Sequence, residues 1–262
     1  MHKTKKMTPN IYEKILKKYS LDELAGRDFR DSLVVHPVVK CRYDLVSADS
    51  WFSALQALRQ QGSSKTTVIN GQTYVRPLTL KENLQARIED YNTSVNQDGT
   101  QRTEEERMRF FTTWLDSCSG IHYLARTKKF KIVPVSNELI TLTQAPVNDY
   151  LSVPYAQTSG TKLDSARGKY NQGLSRAEVL EHPAWRAAVE EDRVLLGEAF
   201  DVMRTVKNAP AGWKGMGVYV LSNQAQDELR PLCANDRGWL GNANDWSLLI
   251  CGGRFLRRSQ TS

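Results

Sequence analysis

A cysteine and a histidine four positions apart, Cys118 and His122, are the pair in this chain nearest to nucleophilic chemistry. An imidazole within hydrogen-bond reach draws the proton from a thiol and leaves the thiolate, the form of cysteine that attacks. Across a helix end the two side chains would meet, but Gly120 between them breaks the helical register, and such a base also needs a third group to orient it. The alternative is a buried Cys118 packed as a small apolar residue beside Trp114. Glu104, Glu105 and Glu106 crowd three carboxylates together, but behind Thr103 they fall in the first turn of a helix, where acids complement the dipole and no acid–base role is required. His182 before Pro183 reads as a helix-end residue, and His36 before Pro37 as structural. Cys41, Cys118, Cys233 and Cys251 show no CxxC and no histidine at metal-ligand spacing, which indicates neither a zinc site nor a disulfide framework. There is no GxxxxGK(S/T), no GxGxxG after a strand, no HExxH and no GxSxG, and no cofactor or metal is expected.

Recognition chemistry is concentrated between Arg230 and Arg257. Asn235, Asp236, Gly238, Gly241, Asn242, Asn244, Asp245 and Ser247 tolerate left-handed backbone and bond to their own neighbours, so the segment is expected to turn repeatedly. Trp239 and Trp246 sit among them, and each carries an indole N–H that wants a polar partner. Two roles are open to the pair: anchors on a recognition surface, or pins that fix a surface loop to the core. Arg254 to Arg257 then alternates polar and apolar, the period of a half-buried strand able to tie the loop to a sheet.

Those residues need a body to hold them, and 262 residues at 40% hydrophobic content suffice for one. The basic start MHKTKKMTPN runs into an amphipathic stretch rather than an apolar one, and no apolar run is long enough to span a bilayer, so neither a secretory signal nor a membrane span is expected and a cytoplasmic location is the default. A net charge of +7 and a pI near 9.2 raise nucleic acid as a partner. The surplus is thin and densest in Lys3, Lys5, Lys6, Lys14, Lys17 and Lys18, so a solvated basic face is the preferred reading and a nucleic-acid-binding N-terminal helix the rival.

That N-terminal helix is marked by Ile11, Ile15, Leu16 and Tyr19, with Leu21, Leu24 and Ala25 in a short turn that Gly26 ends. With no Trp or Phe on its stripe, it is expected to pack on the protein rather than on a membrane. Leu33 to Val35 and Val38-Val39 flank His36-Pro37 and read as strand at a sheet edge, because proline cannot donate to a ladder. Trp51, Leu55 and Leu58 mark a helix over 49–61 stopped by Gly62, and Asn70-Gly71 joins Thr66–Ile69 to Gln72–Arg76 as a hairpin. Capping boxes at Thr79/Glu82, Thr103/Glu106 and Ser175/Glu178 open three helices. The second is expected to run through Met108, Phe111, Trp114 and Leu115 to Gly120. Ile121–Ala125 and Phe130–Val135 make a second hairpin, and Pro146, Pro154, Gly160 and Gly168 punctuate an irregular passage from Ser136 to Gly173. After His182-Pro183 a long helix carries Trp185, Ala188, Val189, Val194, Leu195, Ala199 and Phe200, and Met216–Leu221 alternates as a strand.

With Gly217 to Leu221 leading into Glu228-Leu229-Arg230-Pro231-Leu232, and an Asn/Gly/Trp-rich run closing on Gly252-Gly253-Arg254-Phe255-Leu256-Arg257, the ending resembles the variable proteins of diversity-generating retroelements. The resemblance covers about the last fifty residues. It implies an α+β fold of the C-type lectin class, in the subclass similar to formylglycine-generating enzymes, as a single domain over 1–262 with an N-terminal elaboration over about the first hundred residues. It also implies that adenines in the 3′ end of the gene are overwritten, so that 230–257 displays diverse side chains on a rigid scaffold. The positions it nominates are Asp236, Gly238, Trp239, Gly241, Asp245, Trp246, Ser247, Ile250 and Cys251, beside an Asn242-Ala243-Asn244 whose two Asn codons are adenine-rich. Trp, Ile and Cys exposed so close together suit sampled diversity, with aromatic anchors among small adaptable residues. The implied activity is non-enzymatic ligand binding, with a protein as the expected partner. The carboxylate pair and proline of calcium-dependent lectins are missing, so calcium-mediated sugar binding is not implied, and Cys233 and Cys251 lie where the family varies rather than where a catalytic pair is kept.

Overall fold

The computed structural model describes residues 28, 34–36, 43–48, 50–61, 67–69, 72–74, 76–96, 98–113, 115–125, 127, 129–142, 150–164, 169–220, 227–235, 242–245 and 254–258. The expected N-terminal helix over Ile11 to Tyr19, Trp114, Cys41 and the Asn70-Gly71 turn lie outside them.

Twelve strands are placed among these residues: β1 (Val34–His36), β2 (Tyr43–Ser47), β3 (Thr67–Ile69), β4 (Gln72–Tyr74), β5 (Leu115–Tyr123), β6 (Lys129–Val133), β7 (Thr161–Asp164), β8 (Lys169–Leu174), β9 (Met216–Tyr219), β10 (Glu228–Asn235), β11 (Asn242–Asp245) and β12 (Arg254–Arg258). Seven of them form one sheet in the order β7-β6-β5-β10-β11-β9-β8. Every pairing in it is antiparallel except β11 with β9. A second sheet, β1-β2-β12, brings the last described strand back beside β2 and leaves β1 at an edge, the position expected from the proline after His36. β3 and β4 pair as the hairpin expected around Asn70-Gly71.

Side-chain alternation gives the large sheet two cores. Ile121, Tyr123, Phe130, Ile132, Leu232 and Ala234 face one side. There they meet α2 (Leu80–Asn92), α5 (Arg176–Glu181), α6 (Pro183–Ala188) and α7 (Arg193–Val206) through Leu84, Ile88, Val179, Trp185, Leu196, Phe200 and Met203. Cys118, Val133 and Leu229 face the other side, where α1 (Trp51–Gln61) buries Trp51, Phe52 and Leu55. The Trp51 indole donates to the Ser117 carbonyl at 3.0 Å, which fixes α1 on the sheet.

The three capping boxes all form, with Thr79, Thr103 and Ser175 each exchanging bonds with the glutamate three residues on. The helix opened by Thr103 is much shorter than its apolar spacing suggests. It runs as α3 (Glu104–Met108), passes into a 3₁₀ turn over Arg109–Thr112 that buries Phe110 and Phe111, and then becomes β5. Asp116-Ser117-Cys118-Ser119-Gly120 contains no strong helix former, and its hydroxyls find strand partners: Ser117 donates to the Leu232 carbonyl and Ser119 to that of Pro134.

The long helix expected after Pro183 is likewise two. Glu190 and Glu191 adopt φ of 55° and 64°, which ends α6, and Asp192 caps α7 by accepting from the Leu195 amide. The passage from Ser136 to Gly173 holds α4 (Asn137–Ile140), β7 and most of β8 and is not wholly irregular. Asn242 to Asp245, expected to turn, is extended as β11 because β10 and β9 pair with its two sides.

Candidate binding face and the buried histidine

β10 is the strand from which the Asn/Gly/Trp-rich segment departs, and it is held on every side. β5 pairs with it from Glu228↔Tyr123 to Ala234↔Leu115, with a register shift between Pro231 and Cys233. Such a shift beside Pro231 is where a sheet admits a proline, which has no N–H to donate to the ladder. Leu229, Leu232, Cys233 and Ala234 are fully buried. The Arg87 guanidinium donates to the carbonyls of Thr113 and Ala234 at 3.0 and 3.2 Å and ties α2 to the far end of β10. At the near end Arg230 Nε meets Glu228 at 3.3 Å, and Asp227 accepts from the Ala125 amide at 2.6 Å. A second buried pair braces the helical side: Arg102 grips both carboxylate oxygens of Asp90 at 3.1 and 2.9 Å, and donates to the carbonyls of Asp90, Thr93 and Glu106.

The nominated residues attach to this frame in two groups. Asp236, Gly238, Trp239 and Gly241 fall on the connection from β10 to β11, and Trp246, Ser247, Ile250 and Cys251 on the connection from β11 to β12; both groups lie outside the described residues. Asp245 is the last residue of β11, opposite Leu232. Arg230 to Ala234, the first residues of the segment, are buried strand.

The Cys118/His122 pair considered across a helix end is not made. Both residues stand on β5, where four positions span about 13 Å at the rise of a strand. Cys118 is fully buried with Arg76 Nη1 at 3.3 Å from its sulfur, yet burial outweighs that cation and pushes the thiol up to about 12. Arg76 is itself clamped bidentately to Glu82 at 2.9 and 3.0 Å. A thiol so placed is a packing residue.

His122 is also fully buried, and neither ring nitrogen has a hydrogen-bond partner. Burial pushes its pKa down to about 4; Asp227 opposes this in part and Lys131 adds to it. The Val153 carbonyl approaches the ring and also raises the value without completing a hydrogen bond. The Tyr155 ring lies 5.2 Å from the imidazole, and its hydroxyl is buried and equally unpartnered. Lys131, Tyr155 and Asp227 did not stand out in the sequence. Each is brought to His122 by strand pairing or loop packing, and only the alternation around Phe130 and Ile132 placed Lys131 on the opposite face of its strand.

Among the described residues no group of three or more His, Cys, Asp and Glu could hold a metal ion, and no helix is long and apolar enough to cross a membrane.

No protein-family model matches the chain, and no curated protein matches its sequence. A solved structure does match: it is described as the accommodation of massive sequence variation in Nanoarchaeota by the C-type lectin fold. The TM-score is 0.52 at 14% identity, over 85% of this chain and 100% of that one. At that identity the likeness speaks to architecture, and the architecture is an α+β C-type lectin fold.

Proposed function

We propose that this chain is a non-catalytic ligand-binding protein, the variable protein of a diversity-generating retroelement in the formylglycine-generating-enzyme-like subclass. The observation that carries the reading is the contrast along Arg230–Arg257. A buried and braced β10 supplies the frame, and eight of the nine nominated positions fall in 236–241 and 246–253, the connections on either side of the four-residue strand β11. A fold whose structural neighbour is described in terms of massive sequence variation lends support to such a use. In this reading Trp239 and Trp246 are aromatic anchors, each contributing on the order of 2 kcal/mol when buried in a partner. The small Gly, Asp and Ser around them adapt to different surfaces. The partner class is protein, and binding requires no metal or cofactor.

The test is a library in which codons for the nine nominated positions are randomised, displayed and selected against hen lysozyme as an arbitrary protein target. The expected outcome is that most members fold with melting temperatures within a few degrees of the parent and that binders emerge. General loss of folding across the library would contradict the reading. Replacing Trp239 and Trp246 together by Ala is expected to leave melting temperature nearly unchanged, and a large drop would make them core residues.

A further inference from the structure

The segment 150–160 forms a strap across the second core. Leu151 exchanges two backbone hydrogen bonds with Leu229, at 3.2 and 2.9 Å. Thr158 is buried, and Gly160 comes so near Ile132 that an added Cβ would lie 2.5 Å from its carbonyl oxygen. Lys131 fastens the middle: its ammonium donates to the carbonyls of Tyr155 and Thr158 at 2.6 and 2.7 Å and sits 4.3 Å from the centre of the Tyr155 ring. Beneath the strap is His122, the cross-strand partner of both Lys131 and Leu229.

We propose that His122 is the trigger of an acid-sensitive latch, whose protonation lifts the strap over 150–158 from β5, β6 and β10. The groups that face His122 are Lys131 from β6, Asp227 just ahead of β10, Glu138 from α4 and Tyr155 from the strap itself. Lys131, directly across the ladder, repels an imidazolium. Asp227 is engaged by the Ala125 amide, and Glu138 accepts from the Ser136 hydroxyl at 3.4 Å. The Val153 carbonyl of the strap approaches the ring without completing a bond, and the two carboxylates offset only part of the cost of burial, so a second N–H adds a buried charge that its surroundings do not compensate. Relief comes from the least secured wall. β5, β6 and β10 are core strands, whereas the strap over 150–158 is held by the Leu151–Leu229 bridge, the two ammonium bonds, the buried Thr158 and the partly buried side chains of Leu151 and Val153.

The position of the bridge makes the latch consequential. Among the described residues, β11 covers the outer edge of β10 from Leu232 to Asn235, and Leu151 covers that same edge at Leu229, because β5 occupies the other. Lifting the strap bares the edge of the strand that leads into the candidate binding segment, so acid would loosen the frame on that side. The latch stands apart from the ligand-binding reading and is measured without a ligand.

Hydrogen exchange at the Leu151 and Leu229 amides, corrected for the intrinsic effect of pH, tests the latch between pH 7 and pH 4 in the wild type and in His122→Phe, which keeps the aromatic contact with Tyr155. The wild type is expected to lose protection at both amides by about tenfold or more while Ile121 and Ile132 stay protected, and the variant to hold its protection. Retained protection in the acidified wild type, the same loss in the variant, or simultaneous loss at all four amides would overturn the latch. If His122→Phe does not fold, the NMR titration of the His122 ring C–H in the wild type decides: its midpoint must coincide with loss of protection at Leu151, and a titration that leaves Leu151 protected overturns the proposal.

Discussion

Acid is expected to destabilise this fold through a second buried histidine, and the size of the effect follows from one cap. His182 closes α5, where its amide donates to the Val179 carbonyl at 3.1 Å, and opens α6, where its Nδ1 accepts from the Ala184 amide at 3.2 Å. Only the neutral ring with a bare Nδ1 can accept that bond, and an imidazolium would also face the positive end of α6. Burial pushes its pKa from 6.5 down to about 4. Because the folded value is the lower one, the native protein refuses a proton that the unfolded chain takes up. The contribution to stability is therefore intact above pH 6.5, falls as pH drops from 6.5 toward 4, and levels off below. At about 1.4 kcal/mol per pH unit the full loss approaches roughly 3 kcal/mol, with about 2.5 kcal/mol of it reached by pH 4.5. His182→Asn keeps a capping acceptor and removes the titration. In urea unfolding followed by tryptophan fluorescence at pH 7.5 and pH 4.5, the variant is expected to lose about 2 kcal/mol less than the wild type over the interval. Equal losses in the two proteins would show that the cap does not titrate and refute the reasoning.

Other parts of the frame give sharper yes-or-no outcomes. Asp90→Ala leaves Arg102, whose side chain is 2% exposed, as a buried charge without its counterion, and is expected to cost about 3–5 kcal/mol in denaturant unfolding; a cost below about 1 kcal/mol would contradict the burial of the pair. Cys118 should resist alkylation at pH 8 in the folded protein and react on unfolding, as read by peptide mass spectrometry, because burial holds its thiol protonated; complete labelling of the native protein within minutes would contradict this. Gly160→Val places a branched side chain at φ of 146° and against the Ile132 carbonyl, and is expected to lower stability by roughly 2 kcal/mol or more; a melting temperature equal to that of the parent would show that the strap does not pack as described.

The sequence was most legible where the controlling interaction is local. Thr79, Thr103 and Ser175 each find their glutamate within one turn, so the three helix starts could be read to the residue. The same holds for the β3–β4 hairpin, whose signal is a two-residue turn, and for β12, whose alternation survives in Arg254 to Arg257. The second hairpin is there too, with Ile121–Tyr123 of β5 paired to β6, but the first part of β5, Leu115–Gly120, reads as helix because what makes it strand is remote: its hydroxyls bond to Leu232, Pro134 and the Leu80 amide, and nothing within 115–120 announces those partners. The helix break at Glu190 and Glu191 was hidden by continuous apolar spacing, although Asp192 ahead of Arg193 was a readable cap. β11 reads as turn by composition and is strand by position between β10 and β9. The His122 cluster is an extreme case, because strand register and a loop more than thirty residues on bring its members together.

The most direct measurement is to sequence the DNA around this gene for a near-copy of the stretch encoding Arg230 to Arg257, with a reverse transcriptase gene alongside. The expected result is a copy that differs mainly at adenines, with the differences in codons for 236–241 and 245–251 and none at the buried Leu232, Cys233 and Ala234. No copy, or differences falling on those three buried codons, would contradict a diversified face built on a fixed lectin frame.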